Sequence, residues 1–176
     1  MILLKRTIDI AISFVIFFLT LPLLIVLSLL LWFIHKENPF FLQKRIGKKS
    51  KPFTIIKLKT QSHLINQNNS GFIRYIQRTH IDELPQLVNV LLGSMSIVGP
   101  RPHTPEHVMQ YEDWQKERLT VKPGITCLRQ LKDPYKKIKF NSYIEYDIKY
   151  IQQWNIWLDI KILHRTLLAF IKILLR

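Results

Sequence analysis

Acidic residues are scarce in this sequence of 176 residues, which has 12 Asp and Glu against 26 Lys and Arg and a formal charge of +14. The shortage leaves a surface that attracts phosphates, nucleic acids or an anionic membrane leaflet, and charge alone does not choose among them. Cysteine is nearly missing too. Cys127 stands alone, which excludes an internal disulfide framework, agrees with a reducing cytoplasm and reads as a packing residue. No repeat of about 20–50 residues and no low-complexity tract occurs, so a solenoid is excluded. The length fits one domain of ordinary size, and the 48% hydrophobic content can fill a core and still leave apolar segments for lipid.

Charge is absent from Ile10 to Ile34, a run of 25 residues that exceeds the roughly 20 a helix needs to cross hydrocarbon. No small-x-small cleavage site follows it, and the run is longer than the apolar core of a signal peptide, so the segment is expected to persist as an anchor. Basic residues flank both ends: Lys5 and Arg6 before, then Lys36, Lys44, Arg45, Lys48, Lys49 and Lys51 after. The positive-inside rule therefore gives no clean orientation. Pro22 lies near the middle, where it removes a backbone donor and predicts a kink, with Thr20 placed to satisfy a freed carbonyl. A broken helix that enters one leaflet and returns puts both basic flanks in the cytoplasm; a straight span puts them on opposite sides. The residue pattern alone allows both. Asp9, near Arg6, is expected to pair with a basic neighbour at the interface.

The closing stretch from Trp154 to Arg176 is strongly apolar but carries Lys161, Arg165, Lys172 and Arg176 at spacings of 4, 7 and 4. At 100° per residue these four cations share a sector of roughly 60°, with Trp154, Trp157, Leu163, Leu167, Phe170, Ile171 and Leu174 elsewhere. Such a helix suits the plane of a membrane interface, the alternative being a core helix with a solvated basic face.

Between these ends Phe53 to Lys57 reads as a short strand, and Gln61 to Ser70 is polar and turn-rich. The densest punctuation runs from His80 to Pro102. Pro85 suits the first turn of a helix continuing through Leu87, Val88 and Leu91 to Gly93, which places Asp82 and Glu83 just ahead of a helix N-terminus. Paired acids there are usually a capping feature, although the local positive potential also favours anions. His103, Glu106 and His107 satisfy an inverted zinc-protease pattern, but Pro105 between the histidines is expected to open a helix and leave His103 outside it.

Several ordered blocks together resemble the small monotopic phosphoglycosyl transferases of the bacterial sugar transferase family. They are KRTID with Lys5, Arg6 and Asp9; QKRIG with Gln43, Arg45 and Gly47; KLKT with Lys57, Lys59 and Thr60; then IDELPQLVNVL, GSMSIVGPRP, VKPGIT and WLDIKIL. The resemblance implies a mostly helical α/β fold with a re-entrant membrane helix over residues 1–36 broken at Pro22, a cytoplasmic catalytic domain over 37–153 and an interfacial amphipathic helix over 154–176. It implies transfer of a sugar 1-phosphate from a UDP-sugar to a polyprenyl phosphate such as undecaprenyl phosphate, with release of UMP, at the cytoplasmic face of the bacterial inner membrane. Asp82 and Glu83 fall on the family's catalytic dyad, Asp82 as covalent nucleophile and as the residue facing a Mg²⁺ cofactor. A carboxylate approaching a diphosphate meets like-charge repulsion, so a ring of cations is needed, for which Lys57, Lys59, Arg101, Arg45 and Arg118 are the candidates. A homo-oligomer is compatible with this reading; nucleic acid, for which no recognised module is present, is not among the expected partners.

The sequence departs from the family pattern in places. Leu21 stands where a serine often precedes the membrane proline, and QSHLINQNNS replaces an acidic stretch after Thr60. After PGIT the chain reads Cys127-Leu128-Arg129-Gln130-Leu131 and then Lys132-Asp133-Pro134, without the usual Gly-Arg pair. Arg129 and Lys132 are the cations left there to serve nucleotide or sugar recognition. Outside enzymology, a membrane-surface scaffold that binds anionic lipid would share the anchor and the basic stripes, and the intact Asp82, Glu83 and Arg101 argue against it.

Overall fold

The computed structural model describes residues 2–60, 70–131 and 140–174. Residues 61–69, Lys132 and Arg176 lie outside this set, and with them the turn-rich stretch and two of the cations considered above. Helices dominate: α1 (Ile2–His35), α2 (Ser70–Thr79), α3 (Gln86–Leu91), α4 (Pro105–Met109), α5 (Phe140–Gln152) and α6 (Ile156–Leu174). Strands β1 (Phe40–Ile46) and β2 (Pro52–Leu58) form an antiparallel hairpin, while β3 (Ser96–Val98) and β4 (Gly124–Thr126) pair in parallel. The expected strand over Phe53 to Lys57 is β2, extended by one residue at each end.

Helix α1 runs without interruption through Pro22. Proline removes the donor that would have met the Phe18 carbonyl, but Thr20 Oγ1 donates instead to Ile16 O at 2.7 Å and Phe17 O at 3.4 Å, so it does not serve the carbonyl that proline frees. One narrow stripe of α1 faces the rest of the protein. Asp9, Ser13, Leu24, Leu27, Leu31 and His35 are buried along it, whereas Phe14, Phe18, Leu19, Val26, Leu29 and Phe33 on other faces are exposed. The spacings of 4, 11, 3, 4 and 4 keep the buried positions on one side of a 3.6-residue helix.

Both ends of α1 are tied to the same body. At its start, Lys5 Nζ reaches Asp159 Oδ2 at 2.5 Å and Val98 O at 3.1 Å, linking α1 to α6 and β3. Arg6 donates to Val90 O and Leu91 O at 2.7 and 3.0 Å, adding to the Gly93 N bond that Val90 O already accepts and capping the end of α3. Asp9 does not pair with a basic neighbour as expected; it accepts from Ser96 Oγ at 2.7 Å and Ile97 N at 3.1 Å. A buried carboxylate thus gains two donors from β3, which anchors that strand to the helix. At the other end Leu24, Leu27 and Leu31 join Leu58, Ile73, Ile76 and Ile81 in one apolar cluster. A second cluster beneath the first turns of α1 holds Ile55, Val90, Met95, Ile97, Val98, Tyr150 and Ile162.

Helix α6 buries Asp159 and Ile162 and exposes Lys161, Arg165 and Lys172 together with Trp157, Ile160, Leu167, Leu168 and Ile171. A core helix does not leave so many apolar side chains uncovered. Trp154 lies ahead of α6, its Nε1 donating to Asp159 Oδ2 at 3.1 Å.

Candidate active site

The site is built on the sharp join between α2 and α3. His80 ends α2 in the left-handed conformation (φ 56°, ψ 20°), and the chain turns directly into a 3₁₀ segment, Ile81–Glu83, closed by Glu83 N donating to His80 O at 3.0 Å. A non-glycine residue in that region carries strain of roughly 1–3 kcal/mol and persists only where its surroundings impose it. Pro85 follows immediately before α3, as expected. That helix has only six residues and ends at Gly93 (φ 88°), so its dipole cannot be the main source of positive potential at the acids.

Side-chain cations supply that potential. Glu83 is buried and its Oε1 accepts from Lys57 Nζ at 2.6 Å and Arg101 Nη2 at 2.7 Å. Lys57 comes from β2 and Arg101 from the Pro100-Arg101-Pro102 loop after β3, so the acid pins the hairpin to the loop. Burial pushes Glu83 up, but the charges of Arg101 and Lys57 outweigh it and hold the carboxyl down at about 2. The adjacent Asp82 behaves oppositely. Burial and then the neighbouring Glu83 charge raise it to about 6, and its Oδ1 is buried without a hydrogen-bond partner among the described residues. Two neighbouring carboxyls thus divide their roles. Glu83 is a fixed, satisfied anion, while Asp82 is an undersolvated one whose Oδ1 has no donor among the described residues.

The remaining candidates do not share this position. Lys59 pairs with Glu37 rather than with the dyad. Arg118 is buried, pairs with Asp147 at 2.6 Å and donates to the Arg101 carbonyl at 2.7 Å, so it holds the backbone that carries Arg101. Arg45 works from the other side, donating to Pro102 O at 3.2 Å and Gln43 Oε1 at 2.6 Å. The loop is fixed from below by β4 as well, Gly124 N donating to Pro100 O at 2.9 Å. The approach requires glycine on both chains: a Cβ on Gly99 would stand 2.6 Å from Lys122 O, and one on Gly124 would fall within the Gly99 backbone.

Pro105 occupies the first turn of α4 and leaves His103 outside it. His103 Nδ1 lies 2.9 Å from Arg118 Nη1, which can only donate, so the ring proton belongs on Nε2. Burial, reinforced by Arg118, lowers His103 to about 3. Several residues that hold the site were not singled out in the sequence. Asn89 donates to Thr54 O at 2.7 Å and accepts from Ile56 N at 3.3 Å, locking α3 to β2, and Asp147 and Asp159 receive the buried Arg118 and the half-buried Lys5. Their only signal was an isolated polar residue on an apolar face, which is too common to discriminate.

Comparison with known proteins adds an independent line. A family model described as bacterial sugar transferase matches residues 1–173. A UDP-glucose:undecaprenyl-phosphate glucose-1-phosphate transferase of Klebsiella pneumoniae is 37% identical over 182 residues, covering 92% of this chain and 39% of the relative. A protein of the same description from Caulobacter vibrioides is 34% identical over 180 residues, covering 92% and 67%. An uncharacterized sugar transferase of Bacillus subtilis, EpsL, is 38% identical over 138 residues, covering 72% and 67%. The chain spans about two fifths of the length of the Klebsiella and Escherichia coli relatives.

Proposed function

The chain belongs to the bacterial sugar transferase family, and from that premise we propose that it is a phosphoglycosyl transferase with Asp82 as its covalent nucleophile. The observation that carries the reading is the contrast within the dyad: Glu83 is engaged by Lys57 and Arg101, whereas the Asp82 oxygen is buried and unengaged. The donor is a UDP-sugar and the acceptor undecaprenyl phosphate, in keeping with what the relatives' names state of those proteins.

Asp82 Oδ1 attacks the β-phosphorus of the donor as the bond to the bridging oxygen breaks, and that oxygen leaves with its electron pair on UMP. A sugar phosphate is left on the aspartyl carboxyl as a mixed anhydride. The phosphate oxygen of the lipid then attacks the same phosphorus and returns the electron pair to Asp82, giving a lipid diphosphosugar that begins a surface glycan. One site therefore serves a soluble donor and a membrane acceptor in turn. Lys57 and Arg101 keep Glu83 ionised and lie beside the reacting phosphoryl, where their charge offsets the repulsion between carboxylate and diphosphate. The Asp82 carboxylate would hold Mg²⁺ through the oxygen that does not make the attack, since Oδ1 is the one left without a hydrogen-bond partner among the described residues. When bound there, the ion supplies charge neutralisation to the phosphoryl oxygens.

The membrane arrangement follows from α1. Its first turns are held by Asp159, Val90 and Ser96 and its last by Leu58, Ile73 and Ile76, so both ends lie on one body while the exposed apolar face is turned away. A helix spanning about 30 Å of hydrocarbon would carry one end away from the domain. This supports a seating with both basic flanks on the cytoplasmic face of the inner membrane and α6 in the interface, although α1 carries no break at Pro22 of the kind expected of a re-entrant helix.

Mass spectrometry of the full chain incubated with UDP-glucose and Mg²⁺ but no lipid tests the assignment. A sugar-phosphate adduct on Asp82, lost in Asp82→Asn, is expected. UMP release without an adduct, or normal turnover by Asp82→Asn, would refute the covalent role; no release from any UDP-sugar would favour a scaffold.

A further inference from the structure

Arg101 also lines a cavity of about 200 Å³, together with Arg45, His103, Arg129, Tyr143 and Asp147, among others. It is smaller than the roughly 300–1,000 Å³ that encloses a whole small ligand, so it suits one end of a longer molecule. Its walls carry three guanidinium groups. The acid among them, Asp147, is bonded to Arg118 at 2.6 Å, and Glu83 serves Lys57 and Arg101. The cavity therefore keeps a surplus of cations.

Its least engaged cation is Arg129. Among the described residues no ion pair is formed by it, although its charge reaches Asp147 across the cavity, and its Nε is buried without a hydrogen-bond partner. The guanidinium sits 4.0 Å from the centroid of the Tyr143 ring, on α5. Stacking fixes the plane of the group while leaving its N–H edges available, the arrangement in which arginine takes a phosphate through two parallel bonds. In-line displacement at the β-phosphorus sends the leaving oxygen away from Asp82 with a growing negative charge. Lys57 and Arg101 are already bound to Glu83, and Arg45 to Pro102 O and Gln43.

We propose that Arg129 is a specificity-determining contact for the phosphate of the departing nucleoside monophosphate, seated in the cavity beside Arg101. The inference rests on the transferase reading and deepens it, since it assigns an arginine from within the stretch Cys127 to Leu131, where this sequence departs from the family pattern. The chemistry recognised is a tetrahedral, doubly ionised phosphate. A carboxylate on the donor sugar is the other anion that could reach the same group.

Equilibrium dialysis of the full chain in detergent with UMP decides it, using wild type, Arg129→Gln and Arg129→Lys. Charge-assisted hydrogen bonds to phosphate predict a loss of at least about tenfold in UMP affinity for Arg129→Gln and a smaller loss for Arg129→Lys, with inorganic phosphate competing against UMP in wild type. If Arg129→Gln does not keep the wild-type melting transition, the Lys variant and the phosphate competition carry the test. Unchanged UMP affinity in the variants, indifference to phosphate, or no UMP binding by a wild type that still forms the adduct would overturn the proposal. So would a loss confined to UDP-glucuronate relative to UDP-glucose, which would place a sugar carboxylate there instead. Arg129-dependent UMP binding by a protein that forms no adduct from either donor would leave the anion site standing and refute the transferase reading.

Discussion

Glu83→Gln separates the two carboxyls of the dyad most sharply, because it removes one charge and nearly preserves shape. Wild-type Glu83 accepts two charge-assisted bonds on one oxygen, from Lys57 at 2.6 Å and Arg101 at 2.7 Å. At about 1.5–3 kcal/mol each these set a ceiling of roughly 3–6 kcal/mol. The Arg101 side chain is 40% exposed, so water screens part of its contribution, and the amide oxygen of Gln still accepts a neutral bond. The expected cost is about 2–4 kcal/mol, which for a chain of this size lowers the melting temperature by roughly 4–16 °C. The sign with pH is fixed by the depression of Glu83 from 4.5 to about 2: its stabilisation is present above the ordinary carboxyl value and is lost as pH falls through about 2, so the variant is deficient at neutral pH. Asp82 shifts the other way. Burial keeps it raised, but the Glu83 charge that also raises it is gone, while Lys57 and Arg101 remain. The rate of adduct formation in wild type should rise with pH through about 6 as Asp82 ionises. In Glu83→Gln the midpoint should move down although the maximal rate falls. Rapid-quench mass spectrometry across the acid range reads both quantities. A midpoint that stays or moves up, or an unchanged melting temperature, would refute the electrostatic division of labour.

Three further outcomes check the frame around the site. Replacing Lys161, Arg165 and Lys172 together by Gln should weaken binding to anionic liposomes on the order of a hundredfold at low salt, with a smaller difference at high salt; unchanged binding would show that the exposed face of α6 does not meet lipid. Single cysteines at positions 3 and 49, in a chain with Cys127→Ser, should both be labelled from the cytoplasm; a position 3 that reacts only from the periplasm would make α1 a span. Gly124→Ala should force β3 and β4 apart, costing roughly 1–3 kcal/mol or more by overpacking, and circular dichroism melts should register it. A fully stable variant would mean that the loop carrying Arg101 does not depend on that approach.

The sequence alone determined the features that rest on local pattern. An uncharged run of 25 residues requires lipid or burial, cations at helical spacing share one exposed side of a helix, and Pro105 opens a helix wherever that helix lies. The ordered blocks were legible as a family resemblance, and the family match over residues 1–173 agrees with it. What a side chain meets at long range was not legible, because nothing local distinguishes one cation or one acid from another. Lys57 and Lys59 are two residues apart in one motif, yet one meets Glu83 and the other Glu37. Asp9 lies beside Arg6 in sequence and instead binds β3, whose Ser96 and Ile97 are more than eighty residues away. Only tertiary structure brought Lys57 and Arg101 onto one oxygen of Glu83 and left Asp82 Oδ1 without a donor among the described residues. The ionisation of two adjacent carboxyls then diverges because charge and desolvation act through space, over distances that chain order does not record.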